Sequence, residues 1–384
     1  MQNFSYQNPT RIVFGAGQLS QLSQLVPADA RVLLTYGGGS IHRNGVYQQV
    51  TEALKQHQVV EFSGIEPNPS YETLSKAVEL VKKEKLDFIL AVGGGSVVDG
   101  SKYIAAAALL EQDGWAILQN KVRVRQALPL GCVLTLPATG SESNPHAVIT
   151  KKATQEKLSF SHPAVFPQFA VLDPTVTYSL PPKQIANGAV DAFVHVMEQY
   201  MTYPVNAAVQ DAFAESLLKI LIDVGPKALA QPENYDVRAN LMWSATMALN
   251  GLIGVGVPQD WATHALGHQI TALYGLDHAQ TLAVVLPALL QHQRSVKKDK
   301  LLQYAQNVWG LSHNDPERLM DDAIAHTRAF FERMGVPTRL TDYGLPASAA
   351  AELAAKVRAA GMQQLGEHGQ IDYAASEAIF RAAV

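Results

Sequence analysis

A chain of 384 residues is longer than one hydrophobic core usually serves, so two domains are expected. Apolar residues make up 47 % and charged residues 17 %, a globular composition with ample core that argues against disorder. The 30 Lys and Arg against 34 Asp and Glu leave a formal charge of −4 without a basic block, which argues against nucleic acid as a partner.

Cys132 is the only cysteine, which excludes an internal disulfide framework and a zinc site built from several thiolates. Met1 to Arg11 lacks the charged start and apolar core of a signal peptide. The longest apolar run, Leu282 to Leu290, reaches only about a third to a half of a membrane span. A cytoplasmic protein with no membrane partner is the expectation.

Short β-rich runs alternate with helical patterns over the first 180 residues or so. Strands are expected at Arg31–Tyr36, Val59–Phe62, Asp87–Val92, Leu128–Leu136 and Phe169–Leu172, with helices at Val46–Gln56, Tyr71–Lys83 and Val97–Leu110 between them. This alternation predicts an α/β domain, a parallel sheet covered on both faces, and near-continuous apolar strands such as Phe88–Val92 suit burial from both sides. After Leu180-Pro181-Pro182 helical periodicity runs almost to Val384 without a convincing strand. A boundary placed there gives a dinucleotide-binding domain over 1–182 and an all-helical metal and substrate domain over 183–384. Pro182 suits the first turn of a helix, and Ala189, Ala192, Phe193, Val196 and Met197 give that helix an apolar face. Further helices are expected at 207–223, 235–250, 260–273, 279–292, 316–334 and 347–360. The glycine-rich stretch Asn250–Pro258 reads equally as the wall of a site or as a turn between core helices.

Gly93-Gly-Gly-Ser96 lies between an apolar strand and a helix, so its backbone N–H groups are placed to receive a pyrophosphate, although the spacing is not GxGxxG. Asp99 and Lys102 lie one turn further and could face a cofactor. Gly37-Gly-Gly-Ser40 follows the strand at Arg31–Tyr36 in the same way. Residues 33–44 contain no acid to hold a ribose 2′-hydroxyl, whereas Ser40 and Arg43 can donate hydrogen bonds, a pattern that favours a 2′-phosphate and hence NADP(H). A third turn, Thr135-Leu-Pro-Ala-Thr-Gly-Ser141, sits beyond the strand at Leu130–Leu134, where ligands of open α/β sheets gather, or serves only its own backbone.

Four of the 12 histidines fall between 195 and 278. Asp191 and His195 share a helix face at i,i+4, and His264 and His268 repeat the spacing on another helix. His278 follows where that helix can end at Gly275. Ala265 after His264 breaks the HExxH pattern of a zinc protease. One carboxylate and two or three imidazoles suit iron(II) or zinc with a position left for substrate, and spacing alone leaves the choice between His264 and His268 open.

The motifs Tyr36-Gly-Gly-Gly-Ser40, Glu66-Pro-Asn-Pro69, Gly93-Gly-Gly-Ser-Val-Val-Asp99, Leu136-Pro-Ala-Thr-Gly-Ser-Glu142 and Asp277-His-Ala-Gln280 resemble those of the iron-containing, group III alcohol dehydrogenases. The resemblance runs from Pro9 to the Gly335-Val-Pro-Thr segment and is nearest to the NADPH-dependent aldehyde reductase and butanol dehydrogenase branch. It implies a Rossmann-like domain followed by a helical one, as in dehydroquinate synthase, with one divalent metal in the cleft between them. It further implies Asp191, His195, His264 and His278 as metal ligands, which moves His268 to the edge of the site as a proton-relay candidate. Gly38, Ser40, Gly94, Gly95, Ser96, Asp99, Thr135, Thr139 and Lys157 match cofactor-lining positions.

The implied reaction interconverts aldehydes and primary alcohols, with the carbonyl oxygen polarised by the metal and hydride delivered from NADPH. Reduction is the expected direction because cells keep NADPH reduced. Trp261, Tyr274 and Phe160 are candidate pocket walls, and a homodimer is expected from the resemblance. Rival readings are an NAD-dependent polyol or glycerol dehydrogenase, a non-redox synthase on the same fold, and a non-catalytic metal-binding protein.

Overall fold

The computed structural model describes residues 1–384. Two compact units emerge, and neither is one continuous stretch. The first holds Gln7–Pro181 with Pro232–Thr246, and the second holds Met1–Tyr6, Pro182–Gln231 and Met247–Val384.

In chain order the first unit contains β1 (Arg11–Phe14), α1 (Leu22–Leu25), β2 (Arg31–Tyr36), α2 (Ser40–Arg43), α3 (Val46–Ala53), β3 (Gln58–Phe62), α4 (Tyr71–Glu84), β4 (Phe88–Gly94), α5 (Gly95–Ala107) and α6 (Trp115–Leu118). It continues with β5 (Leu130–Leu136), β6 (His146–Lys151), β7 (Glu156–Ser161) and β8 (Phe169–Leu172). Six strands form one sheet in the order β1-β8-β5-β4-β2-β3, and every neighbouring pair is parallel. Its core shows why the central strands are apolar throughout. Leu33, Ile89, Ala91, Cys132, Leu134 and Ala170 face α4 and α5. The alternate residues Val32, Leu34, Leu90, Val92, Val133 and Val171 pack with α1 and α3 on the other face. Cys132 is wholly enclosed on β5, and burial pushes its thiol pKa up, so it is inert.

Two departures from the sequence expectations have simple causes. β6 and β7 form a separate antiparallel hairpin, His146-Ala-Val-Ile-Thr-Lys151 against Glu156-Lys-Leu-Ser-Phe-Ser161, whose apolar residues are too few to mark it. β1 is a half-exposed edge strand of four residues, too short for a periodic signal.

The second unit is helical: α7 (Pro182–Tyr200), α8 (Ala208–Ala230), α10 (Ala262–Tyr274), α11 (His278–His292), α12 (Lys298–Asn307), α13 (Pro316–Arg333), α14 (Ala349–Ala359) and α15 (Tyr373–Ala382). α9 (Tyr235–Ala248) belongs almost entirely to the sheet unit. There Arg238 donates through Nε to Thr177 Oγ1 at 2.9 Å, and Thr246 donates to Glu142 at 2.6 Å. In the helical unit Phe193 of α7 packs against Phe330 and Phe331 of α13, with ring centroids 5.1 and 5.5 Å away. Residues of α10, α11, α14 and α15 share another apolar cluster. The Asn250–Pro258 stretch is a turn, and its Gly256 carbonyl accepts from the Gln2 backbone N–H at 2.9 Å. No helix is long and apolar enough to cross a membrane.

Candidate metal centre and dinucleotide turns

α7 opens on Pro182, whose fixed φ suits the first turn. Along it Asp191, His195 and Glu198 follow at steps of four and three, so they form one stripe on a helix that is buried almost all round. α10 begins after Trp261, a non-glycine residue at φ +63°, and places His264 in its first turn. α11 begins at His278 because Asp277 and Gln280 form a capping box: the Asp277 side chain accepts from the Gln280 N–H while the Gln280 side chain accepts from the Asp277 N–H at 3.1 Å. The Asp-His-Ala-Gln motif is therefore a device that sets a histidine at the first position of a helix. Asp277 is also tied to α7, accepting from Lys183 Nζ at 2.7 Å and Asn187 Nδ2 at 3.2 Å.

One donor atom from each of Asp191, His195, His264 and His278 lies within 4.8 Å of every other. Asp191 Oδ1 stands 3.7 Å from Nε2 of both His195 and His278, too far for a hydrogen bond. Donors about 2.1 Å from a shared tetrahedral centre stand about 3.4 Å apart, so the set needs little contraction to fit a divalent cation. A carboxylate with imidazoles is the right chemistry for iron(II) or zinc. The His195 and His264 rings are stacked at 4.8 Å. Solvent reaches the cluster past His278, whose side chain is 24 % exposed against 5 % for Asp191 and 4 % for His195.

His268 lies outside this donor set, with its ring 5.3 Å from that of His278 and 6.3 Å from that of His264. Of the expected pocket walls, Trp261 stands beside the cluster, 5.1 Å from the His264 ring. Tyr274 is turned to Glu352, donating at 2.9 Å. Phe160 is a correction: it is a core residue of the sheet unit, packed with Ala147 and Ile149, because its position on β7 faces the sheet.

Glu198 gave no signal by itself, although its place seven residues after Asp191 would have put it on the same helix stripe. Its Oε1 accepts from the His264 backbone N–H at 2.9 Å and lies 3.0 Å from His264 Nδ1. An ionised Glu198 accepting from Nδ1–H leaves the Nε2 lone pair for a metal. Burial, reinforced by Asp260, pushes the Glu198 carboxyl well above the usual range, while the α10 amides and Lys297 pull it down.

In the sheet unit the strand order reverses between β2 and β4, with β3 outside β2 on one side and β5 beyond β4 on the other. The Gly37–Ser40 and Gly93–Ser96 turns leave the carboxyl ends of these two strands, where open α/β sheets bind nucleotides. Gly38 and Ser40 are exposed, and Gly39 at φ +87° turns the chain into α2. Gly94 caps α5, while Gly95 and Ser96 form its first turn.

A Cβ on Gly95 would stand 2.4 Å from Thr139 Oγ1, so only glycine lets the third turn approach α5. Gly95→Ala is expected to push Thr139 aside, cost about 1–3 kcal/mol of stability, and weaken dinucleotide binding about tenfold. Fluorescence titration with NADPH checks this, and an unchanged dissociation constant would contradict it.

The remaining expected cofactor residues are spread around these turns. Thr135 is buried near the end of β5, and Lys157 on β7 donates to Asn68 at 2.8 Å. Asp99 is engaged through both oxygens, accepting from Ser141 Oγ at 2.5 Å and from the Val148 N–H at 2.9 Å. Lys102 does not face open space: it is fully buried and donates to Ser141, Asn144 and the His146 carbonyl. The two residues thus hold the segment after the third turn. Sequence reasoning also missed Glu61 on β3, which accepts from the hydroxyls of Tyr36 at 2.7 Å and Tyr47 at 2.6 Å.

Comparison with known proteins assigns the family. Residues 9–174 match the family model for iron-containing alcohol dehydrogenase, and residues 185–384 match the C-terminal model of the Fe-containing alcohol dehydrogenase family. The chain is 58 % identical over 386 aligned residues to the NADPH-dependent aldehyde reductase YqhD of Escherichia coli, covering 100 % of both chains. A crystal structure of E. coli K-12 YqhD superposes with a TM-score of 0.98, covering 100 % of this chain and 99 % of that one. The NADH-dependent butanol dehydrogenase A of Thermotoga maritima, 36 % identical, superposes with a TM-score of 0.96 over 100 % of this chain and 99 % of the other. With both halves matched, the chain belongs to the iron-containing alcohol dehydrogenase family.

Proposed function

We propose that this chain is a metal-dependent, NADP(H)-linked oxidoreductase that reduces aldehydes to primary alcohols and runs the reverse reaction when alcohol is supplied. The observation that carries the reading is the buried set of one carboxylate and three imidazoles in the helical unit. When bound there, a divalent metal supplies Lewis acidity toward a substrate oxygen, and NADPH in the sheet unit supplies the hydride.

The chain's own residues do the rest. Asp191, His195, His264 and His278 hold the metal, and neutral imidazoles are required for that task. Glu198 fixes the His264 ring, and Trp261 walls the site. His268 passes a proton to the product alcohol, a role supported by its ring lying 5.3 Å from that of His278. In the sheet unit Gly38, Ser40, Gly94, Gly95, Ser96, Thr135, Thr139 and Lys157 line the dinucleotide, and Asp99 contributes by fixing Ser141.

The preference for NADPH rests on the turn after β2. It carries no acid, and the neighbouring carboxylate, Glu61, already accepts from two tyrosines. The relative at 58 % identity is named as NADPH-dependent, whereas a Bacillus subtilis relative at 42 % is named as a probable NADH-dependent butanol dehydrogenase, and the acid-free turn puts this chain with the former. In this reading the expected division at residue 182 holds for the bulk of each unit: the sheet unit, with Pro232–Thr246 added, serves the dinucleotide, and the helical unit, with Met1–Tyr6 added, serves the metal and substrate. A cytoplasmic homodimer completes it, on the weight of the family resemblance and the single buried thiol.

The decisive experiment purifies the protein without added metal, counts the metal, and follows NADPH and NADH oxidation with a panel of aldehydes before chelation, after chelation, and after single-metal restoration. One metal per chain, faster turnover with NADPH, and loss and recovery of activity with iron(II) or zinc are expected. Full activity in chelated, metal-free protein would defeat the proposal.

A further inference from the structure

The helical unit also encloses a second charged group, a lysine held between two carboxylates. Lys297, at the start of α12, has a side chain only 2 % exposed. Its ammonium lies 2.8 Å from Asp260 Oδ2 and donates to both oxygens of Glu367, at 2.7 and 2.8 Å, and to the Met201 carbonyl at 2.7 Å. The Asp260 and Glu367 side chains are each 4 % exposed. A buried ion cluster of this kind contributes little net stability, since desolvation offsets the attraction. What it does supply is a fixed arrangement of the elements it joins.

Those elements carry the metal ligands. Met201 directly follows α7, which bears Asp191, His195 and Glu198. Asp260 shapes the start of α10: its Oδ1 accepts from the Ala262 N–H at 3.0 Å, and its own N–H donates to the Glu198 carbonyl at 2.8 Å. Two backbone N–H groups in the first turn of α10, those of Ala262 and His264, thus donate to carboxylates, and Lys297 holds one of these carboxylates against the end of α7. Glu367 brings in the segment before α15 as the third anchor.

We propose that Lys297, through Asp260 and Glu367, is a positioning residue that sets how firmly the helical unit retains its metal. This rests on the metal-centre reading above. Replacing Lys297 by methionine leaves two enclosed carboxylates without their cation. Their repulsion and desolvation shift the first turn of α10 and loosen His264.

The test loads wild type, Lys297→Met, Lys297→Arg and Glu367→Gln with zinc alone and measures metal release into excess chromogenic chelator, with circular dichroism to establish folding. Lys297→Met is expected to release metal about tenfold faster, Glu367→Gln by a smaller factor, and Lys297→Arg to stay nearer wild type. Saturating zinc should restore kcat in Lys297→Met with the aldehyde KM unchanged. Should Lys297→Met fail to fold, the isosteric Glu367→Gln carries the test. Wild-type release rates in the folded variants, even with a lowered melting temperature, would overturn the proposal. An Asp191→Ala control separates the two readings: if wild type takes up no stoichiometric metal, or Asp191→Ala retains it equally well, the metal centre itself is wrong.

Discussion

Asp191→Ala is expected to bring the metal content of the purified protein from about one per chain to nearly none, and to lower kcat/KM for aldehyde reduction at least about a thousandfold, or about 4 kcal/mol of transition-state stabilisation. Asp191 is the only carboxylate in the donor set and approaches two of the imidazoles equally, at 3.7 Å each. Its loss removes both a ligand and the anionic charge that balances a dication in a buried place. The fold should survive, since the substitution takes a carboxylate out of a helix interior that is otherwise packed with apolar side chains. Asp191→Asn separates the two effects, because it keeps the shape and removes the charge. Metal analysis beside NADPH oxidation reads the outcome, and an Asp191→Ala enzyme with wild-type turnover would remove the metal from the reaction.

Ser40→Asp should change the choice of cofactor by about a hundredfold in the ratio of kcat/KM for NADPH over NADH. Ser40 is exposed at the first position of α2, and Gly39 before it already sits at φ +87°, so the backbone accepts the new side chain without rearrangement. A carboxylate there repels a 2′-phosphate and offers an acceptor to a 2′-hydroxyl, the arrangement that NAD-selective sites use. The metal content should not move, because Ser40 and the proposed metal ligands belong to different units. An unaltered cofactor ratio would mean that the 2′ position is read elsewhere, with Lys157 the next residue to replace.

The sheet was legible because its physics is local: strands buried on both faces must be apolar throughout, as Phe88–Val92 is, and the helices between them repeat at 3.6 residues. The long helices of the second unit were legible for the same reason. α12 was missed because its apolar stripe is short, only Leu301, Tyr304 and Ala305 behind a first turn of Lys298, Asp299 and Lys300. At the candidate metal cluster, the histidine and aspartate spacings picked out residues on α7 and α10 that the fold brings together, yet could not separate His264 from His268. That distinction depends on how α7, α10 and α11 pack. Glu198 and Lys297 were invisible for a related reason: their partners lie 66 and 70 residues away in the chain, and no periodic pattern encodes such a meeting. The hairpin of β6 and β7 escaped because half-exposed strands alternate too weakly to stand out.

The interleaving of the two units bears on how the protein is made. Met1–Tyr6 precedes the whole parallel sheet in the chain, yet its partner, the turn around Gly256, follows that sheet. The sheet unit in turn lacks α9, with its buried Arg238, until α7 and α8 have appeared. Vectorial synthesis therefore cannot finish one unit before beginning the other. Met1–Tyr6 must wait unpaired while the sheet is made, and a genetic split at residue 182 would strand both Met1–Tyr6 and Pro232–Thr246 on the wrong fragments.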